Sequence, residues 1–210
     1  MGRWIVWVLG GLALLLAAVQ GPVLLATVGL SMAIGTIYSL PPLRLKRFPF
    51  WAALCIFGVR GVIVNLGFFA HFRRWLAFRV GLDSSAVSIP PEVWALTVFV
   101  VVFAFAIAIF KDIPDLEGDR QFQVRTLTVR LGSRFVFRLA LGVLTLCYGL
   151  LISLTLLGFL PSVQPEFVVI THGLLLGLLW WKSRWVNLQD KSQISRFFQF
   201  IWRLFFLEYL

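Results

Sequence analysis

Residues 95–126 read ALTVFVVVFAFAIAIFKDIPDLEGDRQFQVRT. The run is apolar and uncharged as far as Phe110. Four of the chain's nine acids, Asp112, Asp115, Glu117 and Asp119, then arrive together. An apolar helix of about 20 residues spans a bilayer core, so this stretch reads as a membrane helix ending in a charged mouth. Pro114 cannot continue a helix and pushes Ile113 away from α geometry. The span is therefore predicted to break near Asp112, at the membrane interface.

The rest of the chain supports that reading. Of 210 residues, 60% are hydrophobic and 13% charged, against about 25% charged in a soluble domain. No run of short alternating segments points to a β-barrel. The fold class is all-α polytopic membrane protein, with seven spans predicted at about residues 4–19, 22–40, 50–70, 93–110, 135–160, 167–181 and 194–210. The apolar N-terminus continues into the second span without a small-residue cleavage site, so it reads as a helix and not a signal peptide.

Charge gives the orientation. Basic residues cluster after the second span (Arg44, Lys46, Arg47), after the fourth (Lys111 to Arg138) and after the sixth (Lys182 to Arg196). The opposite side has Arg73, Arg74 and Arg79. This bias puts the acidic stretch on the cytoplasmic or equivalent face. It also accounts for the net charge of +10 as basic loops on one side of a lipid bilayer, with no nucleic-acid partner. Residues 71–91, on the far side, fit either a helix lying on the membrane with Trp75, Leu76 and Phe78 inward, or a plain loop.

Asp115 and Asp119 are four apart and share a face if a new helical turn follows Pro114. Asp112 can join them from the break. Three converging carboxylates repel, and a hard cation removes that penalty. Mg²⁺ takes one or two carboxylates and shares its shell with substrate phosphates. Lys111, Arg120, Arg125, Arg44, Lys46 and Arg47 lie on the same face and suit phosphate oxygens. Carboxylates and basic residues at a membrane surface point to a lipid diphosphate bound through Mg²⁺. The same spacing also fits a solvated loop whose charges merely mark the membrane edge.

Inside the third span lie Arg60 and Asn65. An intramembrane charge is costly and usually faces a protein interior, so both are candidates for a substrate cavity, with Gly58, Gly61 and Gly67 allowing close helix approach. His71 and His172 are solitary and read as interfacial or packing residues. Cys55 and Cys147 lack metal-ligand spacing and read as small buried side chains.

KDIPDLEGDRQFQVRTLTVRLG (residues 111–132) resembles the second Asp-rich motif of the UbiA-type intramembrane prenyltransferases. GTIYSLPPLRLKRFPFWAALCIFGVRGVIVNLGFF (residues 35–69) and the C-terminal FFQFIWRLFFLEYL resemble the homogentisate phytyltransferase branch of that family. The resemblance covers essentially the whole chain. It implies a bundle of nine transmembrane helices around a central cavity, with two Asp-rich loops holding Mg²⁺ and a prenyl diphosphate. By that resemblance Asp115 and Asp119 take the place of the second DxxxD motif, with Asp112 as a further metal-binding acid. Tyr38, Lys46 and Arg47 match positions near the diphosphate and the reacting carbon, and Arg125 matches a basic residue after the motif. The family's first motif, N-x3-D-x3-D, does not occur in this chain. The expectation is a single transmembrane prenyltransferase domain, residues 1–210, that holds about seven of the nine helices, lacks the first two, and is cut short in the last.

The implied activity is Mg²⁺-dependent transfer of a phytyl group from its diphosphate to homogentisate with decarboxylation, a step of tocopherol synthesis in a cyanobacterial or plastid membrane. In this expectation Asp115, Asp119 and Tyr38 are catalytic. Asp112, Asp115 and Asp119 bind metal, and Lys46, Arg47, Arg125, Arg60 and Asn65 bind substrate, Arg60 at the homogentisate carboxylate. The alternatives are another aromatic acceptor or a longer prenyl donor, as in plastoquinone or menaquinone synthesis, and a non-catalytic lipid-binding or transport protein that keeps the fold.

Overall fold

The computed structural model describes residues 2–81, 88–122 and 126–209. It is helical, with no strand among the described residues. The chain forms two compact units, Met1–Val101 and Val102–Leu210.

In the first unit, α1 (Gly2–Gln20) and α2 (Pro22–Ser39) pack on each other. Only Gly21 separates them. Its φ of 125° lies where side chains other than hydrogen are strained, and Pro22 then starts α2 with its φ already set. A helical turn at Leu45–Arg47 leads to α3 (Pro49–Phe57). α3 passes through a wide π-helical turn, Gly58–Ile63, into α4 (Val64–Arg79). Both α3 and α4 pack against α2. Small residues permit that contact, and a second one with Val101. A Cβ at Gly67 would strike the Thr27 side chain, and one at Gly61 would strike Val101 Cγ2.

The third predicted span is longer than its sequence reading. Residues 71–79 continue α4 without a break, because no proline or glycine follows Gly67 before Gly81. They form neither a separate surface helix nor a loop. His71 is buried, as a packing histidine should be, while Trp75, Leu76 and Phe78 are exposed and Arg79 stacks its guanidinium 4.7 Å from the Trp75 ring. Part of the expected far-side segment, residues 82–87, lies outside the described residues.

α5 (Pro91–Phe110) runs from the first unit into the second. The second unit then adds α6 (Leu116–Gln121), α7 (Leu127–Leu131), α8 (Ser133–Leu156), α9 (Pro165–Ser183) and α10 (Lys191–Leu207). Its core is aromatic. Phe110 lies 5.7 to 5.8 Å, ring to ring, from Phe137, Phe197 and Phe198. Phe103 meets Tyr148 edge-on and Phe205 at 5.5 Å. α10 supplies a one-sided stripe, Ile194, Phe197, Ile201, Leu204 and Phe205, all buried, with Arg196 and Arg203 exposed. His172 on α9 is held by Val168 O at 2.8 Å and Glu208 Oε2 at 3.0 Å, again a packing role. Both cysteines are free. Cys147 is buried, whereas Cys55 is only half-buried.

Among the described residues, four helical stretches are long and apolar enough to cross a membrane: α2, the run Trp51–Arg79, α5 and α8. α1 is apolar but shorter.

Candidate active site

The sequence-predicted residues fall into two groups, one in each unit. The acidic group follows α5. As predicted from Pro114, the helix stops at Phe110, residues 111–115 turn, and α6 begins at Leu116. Asp115 sits at the start of α6, and its carbonyl accepts a hydrogen bond from the Asp119 N–H at 2.9 Å. That bond is the new turn that brings the two acids into helical register. Lys111 Nζ donates to Asp112 Oδ1 at 2.7 Å. Burial works against the Lys111 ammonium. Its bond to Asp112 and the negative charges of Asp112, Asp119 and Asp115 outweigh this and hold its pKa above the ordinary lysine value. One cation thus feels all three acids.

Asp119 Oδ2 is buried and has no hydrogen-bond partner among the described residues. A buried charged oxygen left without a partner is costly, and a hard cation is the type of ligand that satisfies it. The donor set, carboxylate oxygens alone, fits Mg²⁺. Even so, among the described residues no three acid, histidine or cysteine side chains come close enough to hold one ion together. The turn brings the acids onto one short segment without closing them on a point. Arg125 lies outside the described residues.

The second group belongs to the first unit. Tyr38 stands in the last turn of α2, and the next helical turn carries Lys46 and Arg47, both exposed. Tyr38 and Arg60 line one cavity of about 230 Å³ between α2 and the α3–π-helical run. Sequence reading named both residues but not their common cavity. Ser31 also lines it and escaped notice. The signal was present, since Ser31 lies seven residues before Tyr38 and so shares its helix face. Asn65 is not among the residues lining this cavity. Its Nδ2 donates to Gly61 O at 2.8 Å.

A second cavity, about 470 Å³, continues along the same helix pair toward the start of α2. Val23, Ala26 and Leu30 line it on α2, and Val62, Ile63 and Leu66 on the partner. Two cavities therefore lie along α2, one with a phenol and a guanidinium on its wall and the other lined mainly by aliphatic side chains.

A family model described as the UbiA prenyltransferase family matches residues 1–204. The homogentisate phytyltransferase of Synechocystis sp. is 51% identical over 209 residues, which is 100% of this chain and 65% of that protein. The chloroplastic homogentisate phytyltransferase 1 of Arabidopsis thaliana is 35% identical, over 100% of this chain and 50% of its own length. The chloroplastic homogentisate solanesyltransferase of the same plant is 39% identical over 82% of this chain and 43% of its own length. The chain thus spans about half to two thirds of the length of the two phytyltransferases. No solved structure matches it.

Proposed function

We propose, for a chain that belongs to the UbiA prenyltransferase family, that it forms part of an integral-membrane enzyme transferring a phytyl group from phytyl diphosphate to homogentisate. The product is a methyl-phytyl-quinol, a tocopherol precursor, and the setting is a cyanobacterial or plastid membrane. The observation that carries this reading is the pair of cavities along α2. The one lined by Tyr38 and Arg60 suits an aromatic acid, and the aliphatic one suits a prenyl tail.

Each part of the chain has a task in that reaction. Lys46 and Arg47 hold phosphate oxygens, a role the resemblance also gives Arg125, and take up the charge that grows as the allylic C–O bond breaks. The electron pair leaves with the diphosphate. Asp112, Asp115 and Asp119 would hold Mg²⁺, which would supply positive charge at that leaving group. Tyr38, which lines the cavity with Arg60, would stabilise the allylic cation with its ring face. The apolar walls keep water from it. Arg60 receives the carboxylate of homogentisate and orients the ring. A ring carbon forms the new C–C bond, the carboxyl departs as CO₂, and the proton lost from the ring is balanced by the one gained on the side-chain carbon.

The test is transferase activity in membranes carrying the full-length protein, with labelled phytyl diphosphate and homogentisate. Asp115→Asn and Asp119→Asn are expected to lower kcat at least ~100-fold, the usual scale for losing a group that stabilises a developing charge, while thermal unfolding in detergent stays near that of the parent. Activity should vanish with a chelator and return with Mg²⁺. Unchanged turnover in both variants would overturn the reading. Absence of turnover in the folded parent would instead favour the non-catalytic alternative, a lipid-binding or transport protein, which the unclosed arrangement of the acids among the described residues supports. Geranylgeranyl and solanesyl diphosphates, run beside the phytyl donor, settle donor length.

A further inference from the structure

A helix crossing lipid must satisfy its own backbone, because no water is there to do it. The π-helical turn Gly58–Ile63 complicates this. Val64 N–H reaches back five residues to Val59 O, and the wider ring disturbs the regular pairing of neighbouring carbonyls. Asn65 Nδ2 donates to Gly61 O at 2.8 Å, inside this disturbed turn. Gly61 itself is buried against Val101, with no space for a Cβ. Arg60 sits between Val59 and Gly61 and lines the Tyr38 cavity. The carbonyl that Asn65 holds therefore belongs to the residue directly after Arg60.

We infer that Asn65 is a positioning residue, which fixes the wide turn and through it the place of the Arg60 guanidinium on the cavity wall, so that the carboxylate of an aromatic acceptor meets it in register. This rests on the reading of that cavity as the acceptor's binding place. Asn65 touches no substrate. It acts on acceptor binding alone, because the prenyl diphosphate is held by other residues.

The protein offers its own replacement for the amide. Thr27 Oγ1 donates to Val23 O at 2.8 Å and Thr97 Oγ1 to Val93 O at 2.7 Å, the same four-residue step that Asn65 spans. Asn65→Thr should therefore keep the bond, and Asn65→Val, of the same shape, should lose it. The experiment measures KM for homogentisate and for phytyl diphosphate in membranes carrying the full-length protein, with thermal unfolding in detergent as the check on folding. Asn65→Val is expected to raise the homogentisate KM about tenfold, the equivalent of one hydrogen bond, and to leave the phytyl diphosphate KM within about twofold. Asn65→Thr should bring the homogentisate KM back to within about threefold of the parent. Equal behaviour of the Val and Thr variants, or a parallel rise in both KM values, would overturn the inference. Arg60→Met separates the two levels. If it raises the acceptor KM and Asn65→Val does not, the acceptor site stands and the role of Asn65 falls. If Arg60→Met leaves the acceptor KM unchanged, the reading of the cavity falls and takes the inference with it.

Discussion

Both units contain apolar helices of membrane length, yet they use them differently. In the first, the membrane-length stretches Pro22–Ser39 and Trp51–Arg79 are each only 6% buried. In the second, Ser133–Leu156 is 33% buried, and Phe103, Phe110, Tyr148 and Leu204 are essentially inaccessible. A higher hydropathy does not by itself bury a helix in protein, because lipid and protein interior are equally good solvents for a leucine. Packing does. The second unit interlocks aromatic rings around a short acidic turn. The first meets through Gly61, Gly67 and Thr27 and leaves cavities beside α2. One unit is a firm support for carboxylates, and the other is a groove with room for a ligand.

Truncation of one ring in each unit tests that contrast most severely. Phe103→Ala removes a fully buried ring that meets Tyr148 and Phe205. Such a change costs ~3–5 kcal/mol in water-soluble cores. In a membrane the transfer part of that cost is reduced, and about 2 kcal/mol of lost packing should remain. Phe68, in the first unit, is 40% exposed. Phe68→Ala is expected to stay within about 0.5 kcal/mol of the parent. Denaturant unfolding in detergent micelles reads both. Equal losses would mean that the two units do not differ in packing.

Within the first unit, two glycines on facing helices make a finer comparison. A Cβ at Gly67 would lie 2.6 Å from Thr27 Cγ2 and 2.9 Å from Thr27 Cβ, whereas one at Gly35 would meet nothing within 4 Å. Gly67→Ala must pry α4 from α2 and should cost ~1–3 kcal/mol as overpacking. Gly35→Ala should be close to neutral. Thr27→Ala, combined with Gly67→Ala, should recover part of the loss, since it removes the nearer of the obstructing atoms. If the double variant is no better than Gly67→Ala alone, the tight approach of α2 and α4 is not what Gly67 provides.

The parts of this architecture that could be read in the sequence are those governed by local rules. Pro114 forbids helix continuation whatever surrounds it, so the break after Phe110 and the restart that pairs Asp115 with Asp119 were both legible. So was the membrane class, which depends on run length alone. The π-helical turn was not. Residues 49–79 are apolar nearly all the way round, so no periodicity fixed their helical phase, and an extra residue in one turn left no trace in the pattern. Asn65 illustrates the consequence. A polar residue inside a span marks a protein-facing position, but whether it meets a ligand or a backbone carbonyl depends on turn geometry. The end of α4 was missed for a related reason. Arg73 and Arg74 resemble a membrane edge, yet charge does not stop a helix that contains no breaker.

The smallest expected effect concerns how the second unit's aromatic stripe is started. Asp190 caps α10. Its Oδ1 accepts from Ser192 N–H at 2.8 Å and Gln193 N–H at 3.3 Å, and its Oδ2 accepts from Gln193 Nε2 at 2.9 Å. The Gln193 backbone and side-chain amides, more than the Ser192 N–H and the Arg196 charge, hold the Asp190 carboxyl below its ordinary value of 3.8. A carboxyl depressed on folding lends its stability in full above the unfolded value, and loses it as pH falls through the folded one. Amide exchange at Ser192 and Gln193, corrected for the intrinsic rate, should therefore be slow at neutral pH and accelerate as pH drops below 3.8. In Asp190→Ala the exchange should be fast throughout and lose this dependence. The group is at the surface, so the change should stay in the first turn of α10. The packing of Phe197 and Phe205, farther along the helix, should hold in both proteins. If the variant instead loosened those rings, the cap and the aromatic core would be a single cooperative element, and the support beneath the acidic turn would begin at Asp190.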